Sequence, residues 1–428
     1  MSRKKKKKQA LGPVGTATGL FLLSAFAVAC ACLAILGVKL SNAPVLQVEP
    51  LIPLAVYAVG VPLILLWLKL SGWKGDAGLI GAVFLLCGIG LVIQFRMGSF
   101  AQGLAKPAAM LPLPLGLAAF MVGTLLTGKG RGAWLAKAGW LAYLVALGVL
   151  AAMLLLGRSF RGGTYLAGNL NPSEIVKPLL VLFLASYLSR HQKAFSETQK
   201  GIPVPPLHAL LGLVALWAIP MLMTIALKDL GLMALLNAVL IVMLFAIARS
   251  TGYLAIGLAA VAAAGFGVQL ISANARTRFD VWLNPFADPT GKGWQILQAL
   301  AAMYSGGLWG AGLGAGVPQS VPIVTSDFVY AAVAEEIGLV GCALLLIVYA
   351  TLFSRGLRAA GATKTPFERL LCVGLTASLA TQTIFNVAGV TKALPMTGIT
   401  LPLISHGGSS LITTLLIAGM LTGLSDRK

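Results

Sequence analysis

Twelve carboxylates are spread through 428 residues, few enough to weigh singly. Glu49, Glu197, Glu368 and Asp426 fall in polar connections or the tail, and Asp76 shares a short turn with Lys74. Glu174, Asp229, Glu335 and Glu336 lie in or at the edge of apolar runs. An ionised group at membrane depth costs several kcal/mol, roughly 3 on some scales, unless it is paired or faces water. Glu174 and Lys177 are three apart and share a helix face, which suits either an internal ion pair or a substrate cavity. Lys228-Asp229 precedes Gly231 at a break between apolar runs and has the same two readings. Glu335 and Glu336 are adjacent, so on a helix they diverge by about 100° and one is expected to face the interior. Asp288 differs: it sits in Asn284-Pro-Phe-Ala-Asp-Pro-Thr-Gly-Lys-Gly-Trp294, with Arg276, Arg278 and Lys292 close in sequence. That stretch is either turn chemistry or a carboxylate base beside cations that hold phosphates. Gly291-Lys-Gly is no P-loop, lacking GxxxxGK[ST] and a preceding strand. His406, in Ser405-His-Gly-Gly-Ser-Ser410, has no acidic partner nearby, and a helical chain has no strand–turn elbow for a serine hydrolase.

The elements that must position these groups are membrane helices. The chain is 58% hydrophobic and 10% charged, against roughly 25% charged in soluble domains. Apolar runs near the ~20 residues that cross a bilayer recur throughout. This excludes a soluble enzyme, a nucleic-acid-binding domain and a disordered protein. The pattern predicts an all-α polytopic bundle of about twelve spans: 16–38, 51–70, 77–95, 108–127, 134–156, 174–190, 207–227, 230–248, 253–272, 327–354, 368–390 and 401–424. The five cysteines fall in apolar runs with no metal-site spacing and read as core residues.

The net charge of +20 reads as topology and anionic headgroups rather than nucleic acid. The tail Met-Ser-Arg-Lys-Lys-Lys-Lys-Lys precedes an apolar stretch too long for a signal peptide, so a retained anchor is expected. With an even span count both termini are placed in the cytoplasm, and Lys74, Lys129, Arg131, Arg190, Lys193, Arg249, Arg355, Arg358, Lys364, Arg427 and Lys428 fall on that side. Arg96, Lys106, Arg158, Arg161, Arg276, Arg278 and Lys292 fall outside and are expected to bind something anionic. Residues 273–326, the one long connection, also fall outside. Their Gly-rich, Trp-containing sequence predicts a folded cap rather than a linker.

These segments together resemble the SEDS family of bacterial cell-wall polymerases, the FtsW/RodA/SpoVE group. Asn171-Pro-Ser-Glu-Ile-Val-Lys177 is similar to the family's QPSE-x-x-K, and Lys228-Asp-Leu-Gly231 to its PDLG. Asn284–Gln295 is similar to its NPxxDPxGxGYQ loop. Ser305–Gly314, Thr325–Gly341 and Leu394–Ser410 match the next elements in order. The resemblance covers about 77–424. It departs at Asn171, Lys228 and His406, where the family has Gln, Pro and Tyr, and by two additional N-terminal spans. The chain is accordingly divided into a basic tail (1–15), two extra spans (16–76) and a ten-span polymerase core (77–428).

The resemblance implies a glycosyltransferase that polymerises lipid II at the outer face of the cytoplasmic membrane and releases undecaprenyl pyrophosphate. Asp288 matches the family's catalytic Asp, as base or acceptor-orienting group, with a divalent cation (Mg or Mn) as a further role. Arg278 matches a family Arg and is expected on phosphate. Lys292, Arg158 and Arg161 are further phosphate candidates, and Glu174, Lys177, Asp229, Asp327, Glu335, Glu336, Ser405 and His406 are cavity candidates. A class B penicillin-binding protein is the implied partner, alongside membrane lipids. The competing readings are a lipid II flippase, with Glu174, Lys177 and Asp229 lining the path, and a non-catalytic scaffold. The absence of a Lys in Leu394-Pro-Met-Thr-Gly leans towards elongation over division.

Overall fold

A computed structural model describes residues 14–19, 21–22, 25, 28–29, 49–105, 107–128, 130–160, 163–165, 171–199, 202–203 and 205–426. The basic tail and most of the expected first span, 16–38, lie outside them. Among the described residues eleven long helices follow the apolar runs, and two further helices lie in the connection at 273–326. They are α1 (Ile52–Leu70), α2 (Ala77–Arg96), α3 (Pro112–Thr127), α4 (Gly139–Leu156), α5 (Ser173–Arg190), α6 (Leu207–Ala226), α7 (Leu230–Ala248), α8 (Thr251–Ile271), α9 (Ala273–Leu283), α10 (Trp294–Gly306), α11 (Val329–Ala362), α12 (Pro366–Val390) and α13 (Gly408–Leu424). Seven of the described helices are long and apolar enough to cross a membrane, and α3, the stretch Thr251–Gly267 of α8, and α13 are shorter apolar segments. The chain is a multi-pass helical membrane protein. Its only strands among the described residues form two small antiparallel hairpins, Arg158–Phe160 with Gly163–Tyr165 and Thr198–Gln199 with Ile202–Pro203.

Local chemistry sets the helix ends. Asp76 accepts from the N–H groups of Gly78 and Leu79 to start α2, Asp229 from Leu232 to start α7, and Thr365 from Glu368 to start α12, whose first residue is Pro366. Large apolar side chains such as Leu63, Leu144, Leu222, Leu258 and Ile347 stay exposed. In a bundle this apolar they are the lipid-facing belt, since lipid solvates them as well as a core does. At the end opposite 273–326, Arg355 pairs with Asp76 at 3.3 Å, Asp426 accepts from the N–H of Lys74, and Trp73 Nε1 donates to the carbonyl of Thr422. Asp76 and Asp426 are thus structural anchors.

Two expected spans change, one at its start and one in its interior. The last one, expected from 401, begins only at Gly408, and residues 391–407 are unwound. At 1.5 Å per residue α13 is roughly 26 Å long, short of the ~30 Å apolar core, so the unwound residues just before Gly408 lie at membrane depth. The tenth breaks at Gly338, whose φ of 68° is left-handed. A side chain there would also meet the Gly310 amide nitrogen.

The connection 273–326 is folded, as expected, and the kink is why. The N–H groups of Leu339 and Val340 donate to the carbonyls of Gly307 and Leu308, while those of Ala311 and Gly312 donate to Glu335 and Glu336. The side chains complete the clamp. Glu335 Oε1 accepts from the N–H of Val317, and Glu336 Oε2 from that of Gly314, both at 2.7 Å. Arg96 Nε sits 2.9 Å from Glu336 Oε1, and its Nη2 donates to the carbonyls of Gly314 and Gly316. Both glutamates are buried, which corrects the expectation that only one faces inward. The break at Gly338 turns the carbonyls of 335 and 336 from helix bonding to loop bonding. Arg96 is likewise no free surface cation.

Because breaking a buried ion pair leaves an uncompensated charge, Arg96→Met is expected to destabilise the fold by about 3–5 kcal/mol. Arg96→Lys should cost clearly less. Thermal unfolding in detergent measures both; an unchanged midpoint for Arg96→Met would show that the pair does not hold the loop.

Candidate functional site

The site grows from the unwound segment 391–407. In low-dielectric surroundings its carbonyls need donors, and side chains on surrounding helices supply them. Trp282 Nε1 donates to Lys392, and Arg278 Nη1 to Met396 and Thr397 at 3.2 and 2.8 Å. Asn386 donates to Ile399 at 2.7 Å, Gln382 to Thr400 at 3.1 Å, Tyr349 to Pro402 and Gln94 to Ile404. The segment docks on the 325–327 stretch as well. Ser405 Oγ donates to the carbonyl of Ser326, the N–H of His406 to Thr325, and Asn386 also to Asp327. Gly90 allows this close fit, since a Cβ there would run into the backbone at Leu403.

Polar groups from five elements meet against this segment. The start of α5 brings Ser173, Glu174 and Lys177. Lys177 Nζ lies 2.7 Å from Glu174 Oε2 and 3.1 Å from Gln382 Oε1, and the lysine is 3% exposed. Ser173 Oγ bridges Asn171 Oδ1 and Asp229 Oδ2, and the N–H of Asn171 donates to Ser409 Oγ. Gly231, next to Asp229, packs on the carbonyl of Thr397. Arg278 and Asp327 approach the same face of Gly398, at 3.6 and 3.7 Å from where its Cβ would stand. Thus Glu174, Lys177, Asp229, Arg278 and Asp327, scattered over more than 150 positions in sequence, form one cluster.

Electrostatics follows from burial. Desolvation lowers the Arg278 guanidinium from its ordinary pKa, opposed by the nearby Asp327 and Asp229. Asp229, in the turn before α7, has its carboxyl raised by burial; the bond from Leu232 and the charge of Lys177 oppose this. Cations and carboxylates alternate, so each screens the next. A phosphate entering the cluster would meet two fixed cations that are already oriented.

Asp288 stands on the short turn Pro285–Ala287 after α9 and is exposed. Its Oδ1 accepts from the N–H of Gly291 and its Oδ2 from that of Lys292, both at 3.0 Å. Turn chemistry and an accessible carboxylate therefore coexist, since each oxygen keeps a lone pair for a ligand. Lys292 is exposed beside it. Arg158 lies on a hairpin strand, but its side chain, like the whole of Arg161, lies outside the described residues. Glu335 and Glu336 do not join the cluster; they clamp the Gly-rich loop. Ser405 is bonded at both ends, accepting from the N–H of Leu401 and donating to Ser326. The ring of His406 meets Phe100 edge-on and lines a small cavity of ≈ 30 Å³ with Gln94 and Leu403.

Gln94, Trp282, Gln382 and Asn386 escaped the sequence reading. Gln94, Gln382 and Asn386 carried the signal that exposed Glu174, a polar residue in an apolar span, but being uncharged they did not stand out.

Fold and site together define a polytopic membrane protein with a polar cluster set beneath a folded extramembrane cap. A family profile described as cell cycle protein, FtsW/RodA/SpoVE, matches residues 79–428. Over 367 residues the chain is 35% identical to the peptidoglycan glycosyltransferase RodA of Mycobacterium tuberculosis, covering 82% of this chain and 78% of that one. Among solved structures, one from work on the structural coordination of polymerization and crosslinking by a peptidoglycan synthase complex superposes with TM-score 0.66 and 28% identity, covering 82% and 98% of the two chains. The Rod shape determining protein RodA of Thermus thermophilus superposes with TM-score 0.57 and 28% identity, covering 82% and 97%. The chain belongs to the FtsW/RodA/SpoVE family. Helix α1 lies outside the matched stretch.

Arg278→Lys keeps the charge but loses the planar fork that serves two carbonyls. With hydrogen bonds to charged groups worth roughly 1.5–3 kcal/mol, its thermal midpoint is expected to fall by several degrees. An unchanged midpoint would show that Arg278 does not hold the unwound segment.

Proposed function

We propose that this chain is a peptidoglycan glycosyltransferase that polymerises lipid II into glycan strands, with the end carrying 273–326 facing outward across the cytoplasmic membrane. Its termini are then cytoplasmic, on the side of the basic tail. The observation that carries the reading is the placement of two oriented cations, Lys177 and Arg278, in a polar cluster directly preceding, through α9, an exposed carboxylate at Asp288.

The chemistry divides between these groups. Lipid II already carries a good leaving group, so catalysis needs mainly charge stabilisation of the departing pyrophosphate and removal of a proton from the acceptor hydroxyl. Lys177 and Arg278 hold the phosphates. Asp288 takes the hydroxyl proton or orients that hydroxyl. Lys292 adds positive charge at the same loop. Asp229 and Asp327 hold Arg278 electrostatically rather than meeting substrate. Polymer released on the outer side would pass to a class B penicillin-binding protein for cross-linking, and the solved synthase complex supports such a partnership.

A divalent cation would be held in this arrangement through Asp288. Among the described residues no group of three or more His, Cys, Asp or Glu could hold one. An ion bridging phosphates needs only one or two protein carboxylates, and Asp288 is the accessible one. Such an ion would neutralise charge on the leaving group.

A flippase remains the contrasting reading, favoured by the ionisable cluster between α5, α7 and α12. The two separate at Asp288. With labelled lipid II and the chain reconstituted with its class B partner, Asp288→Asn is expected to lower glycan formation by about 10²–10⁴-fold while the fold is retained. Wild-type rates in that variant would remove Asp288 from the mechanism, and lipid II transport without polymer from the wild type would favour the flippase. Chelation by EDTA is expected to reduce the wild-type rate and added Mg to restore it; indifference to both would dismiss the cation.

A further inference from the structure

Gln382 lies mid-way along α12 and is 1% exposed. Its Oε1 accepts from Lys177 Nζ at 3.1 Å. Its Nε2 sits 3.1 Å from the carbonyl of Thr400, 3.3 Å from Thr400 Oγ1 and 3.4 Å from Ser410 Oγ. An amide has one acceptor end and one donor end. Turned around, Gln382 would set its N–H groups against an ammonium and its oxygen against a carbonyl. Both ends therefore select the same orientation.

We infer that Gln382 is a positioning residue for Lys177, aiming its ammonium at the substrate's phosphates from a fixed point on the unwound segment. This rests on the reading of Lys177 as a phosphate ligand. Lysine is a compact charge on a flexible four-carbon stem, so its direction must come from its partners. Glu174, three residues earlier on the same helix, would by itself draw the ammonium along α5 towards the partly open Glu174 side chain. Gln382 pulls from a different helix and sets a second direction. Two of the three ammonium protons are then committed, to Glu174 and Gln382, and the third is held in a defined orientation for the ligand. The far end of Gln382 is pinned in turn. Thr400 belongs to the unwound segment, and Ser410 to the first turn of α13, where Thr400 Oγ1 and Ser410 Oγ lie 2.8 Å apart. The path Lys177–Gln382–Thr400–Ser410 thus ties the cation on α5 to the same segment that Arg278 grips at 396–397. Both phosphate-facing cations take their positions from one piece of backbone.

The test is a double-mutant cycle on the full chain, reconstituted in lipid with its class B partner. Initial polymerisation rates are measured against lipid II concentration for the wild type, Lys177→Met, Gln382→Met and the double variant, with thermal midpoints for each. Gln382→Met keeps the length of the side chain and removes both polar ends. It is expected to raise KM about tenfold, the loss of roughly one hydrogen bond to a charged group, with kcat changed much less. Lys177→Met is expected to raise KM further, and the double variant to match Lys177→Met. A double variant in which the two effects multiply would show that Gln382 acts independently of Lys177, and an unchanged KM in Gln382→Met would remove the role altogether. If Lys177→Met itself leaves KM unchanged, the phosphate-ligand reading falls with it. If Lys177→Met raises KM and Gln382→Met does not, only the positioning role is lost. Should Gln382→Met not fold, Gln382→Leu takes its place. It likewise removes both polar ends and is expected to raise KM about tenfold; an unchanged KM overturns the inference.

Discussion

An unwound stretch of backbone inside a membrane protein must find a donor for nearly every carbonyl, because lipid supplies none. Residues 391–407 impose this constraint on the whole bundle. Trp282, Arg278, Asn386, Gln382, Tyr349 and Gln94 answer it from four helices and reach along almost the full segment. Each such bond fixes the helix that carries it. The segment therefore acts as a template on which α2, α9, α11 and α12 are registered.

The functional cluster is a by-product of that template. Arg278 reaches the segment as a donor and becomes a fixed cation flanked by Asp327 and Asp229. Gln382 reaches it and turns its other end to Lys177. Arg278 and Gln382 satisfy backbone on one side and face charged groups on the other, so satisfying the fold and gathering the charged cluster are one arrangement. A second clamp works beside it on the same principle. The kink at Gly338 frees carbonyls at Glu335 and Glu336 for the Gly-rich loop, and Arg96 neutralises the glutamate charge that comes with them. The cap above the cluster is held by buried charge and backbone together, which is why a Gly-rich stretch can be ordered.

This division of labour separates residues that look alike in sequence. Glu174 and Glu336 are both carboxylates in apolar spans, yet one pairs with a lysine inside the cluster and the other holds a loop. Asp76 and Asp229 both cap helices, and only Asp229 lies in the cluster with Lys177 and Arg278. Burial depth and partners distinguish them, and both are set by distant parts of the chain.

The sequence by itself determined the solvent, the helical class and the approximate spans, because hydrophobic transfer is a local, additive property of each run of residues. It also placed Glu174, Lys177, Asp229, Arg278 and Asp288 among the residues to watch, since ionisable groups in apolar runs are costly and a basic loop around one carboxylate is unusual. The tertiary structure alone decided which of them meet. It showed Arg96 and Glu336 as partners, the last span starting at Gly408 instead of 401, and uncharged Gln94, Gln382 and Asn386 as the groups that hold the site. Those assignments depend on contacts between residues hundreds of positions apart and on backbone left without its helical partners. Neither leaves a periodic trace in the sequence, because a hydrogen bond is satisfied by position in space and not by order along the chain.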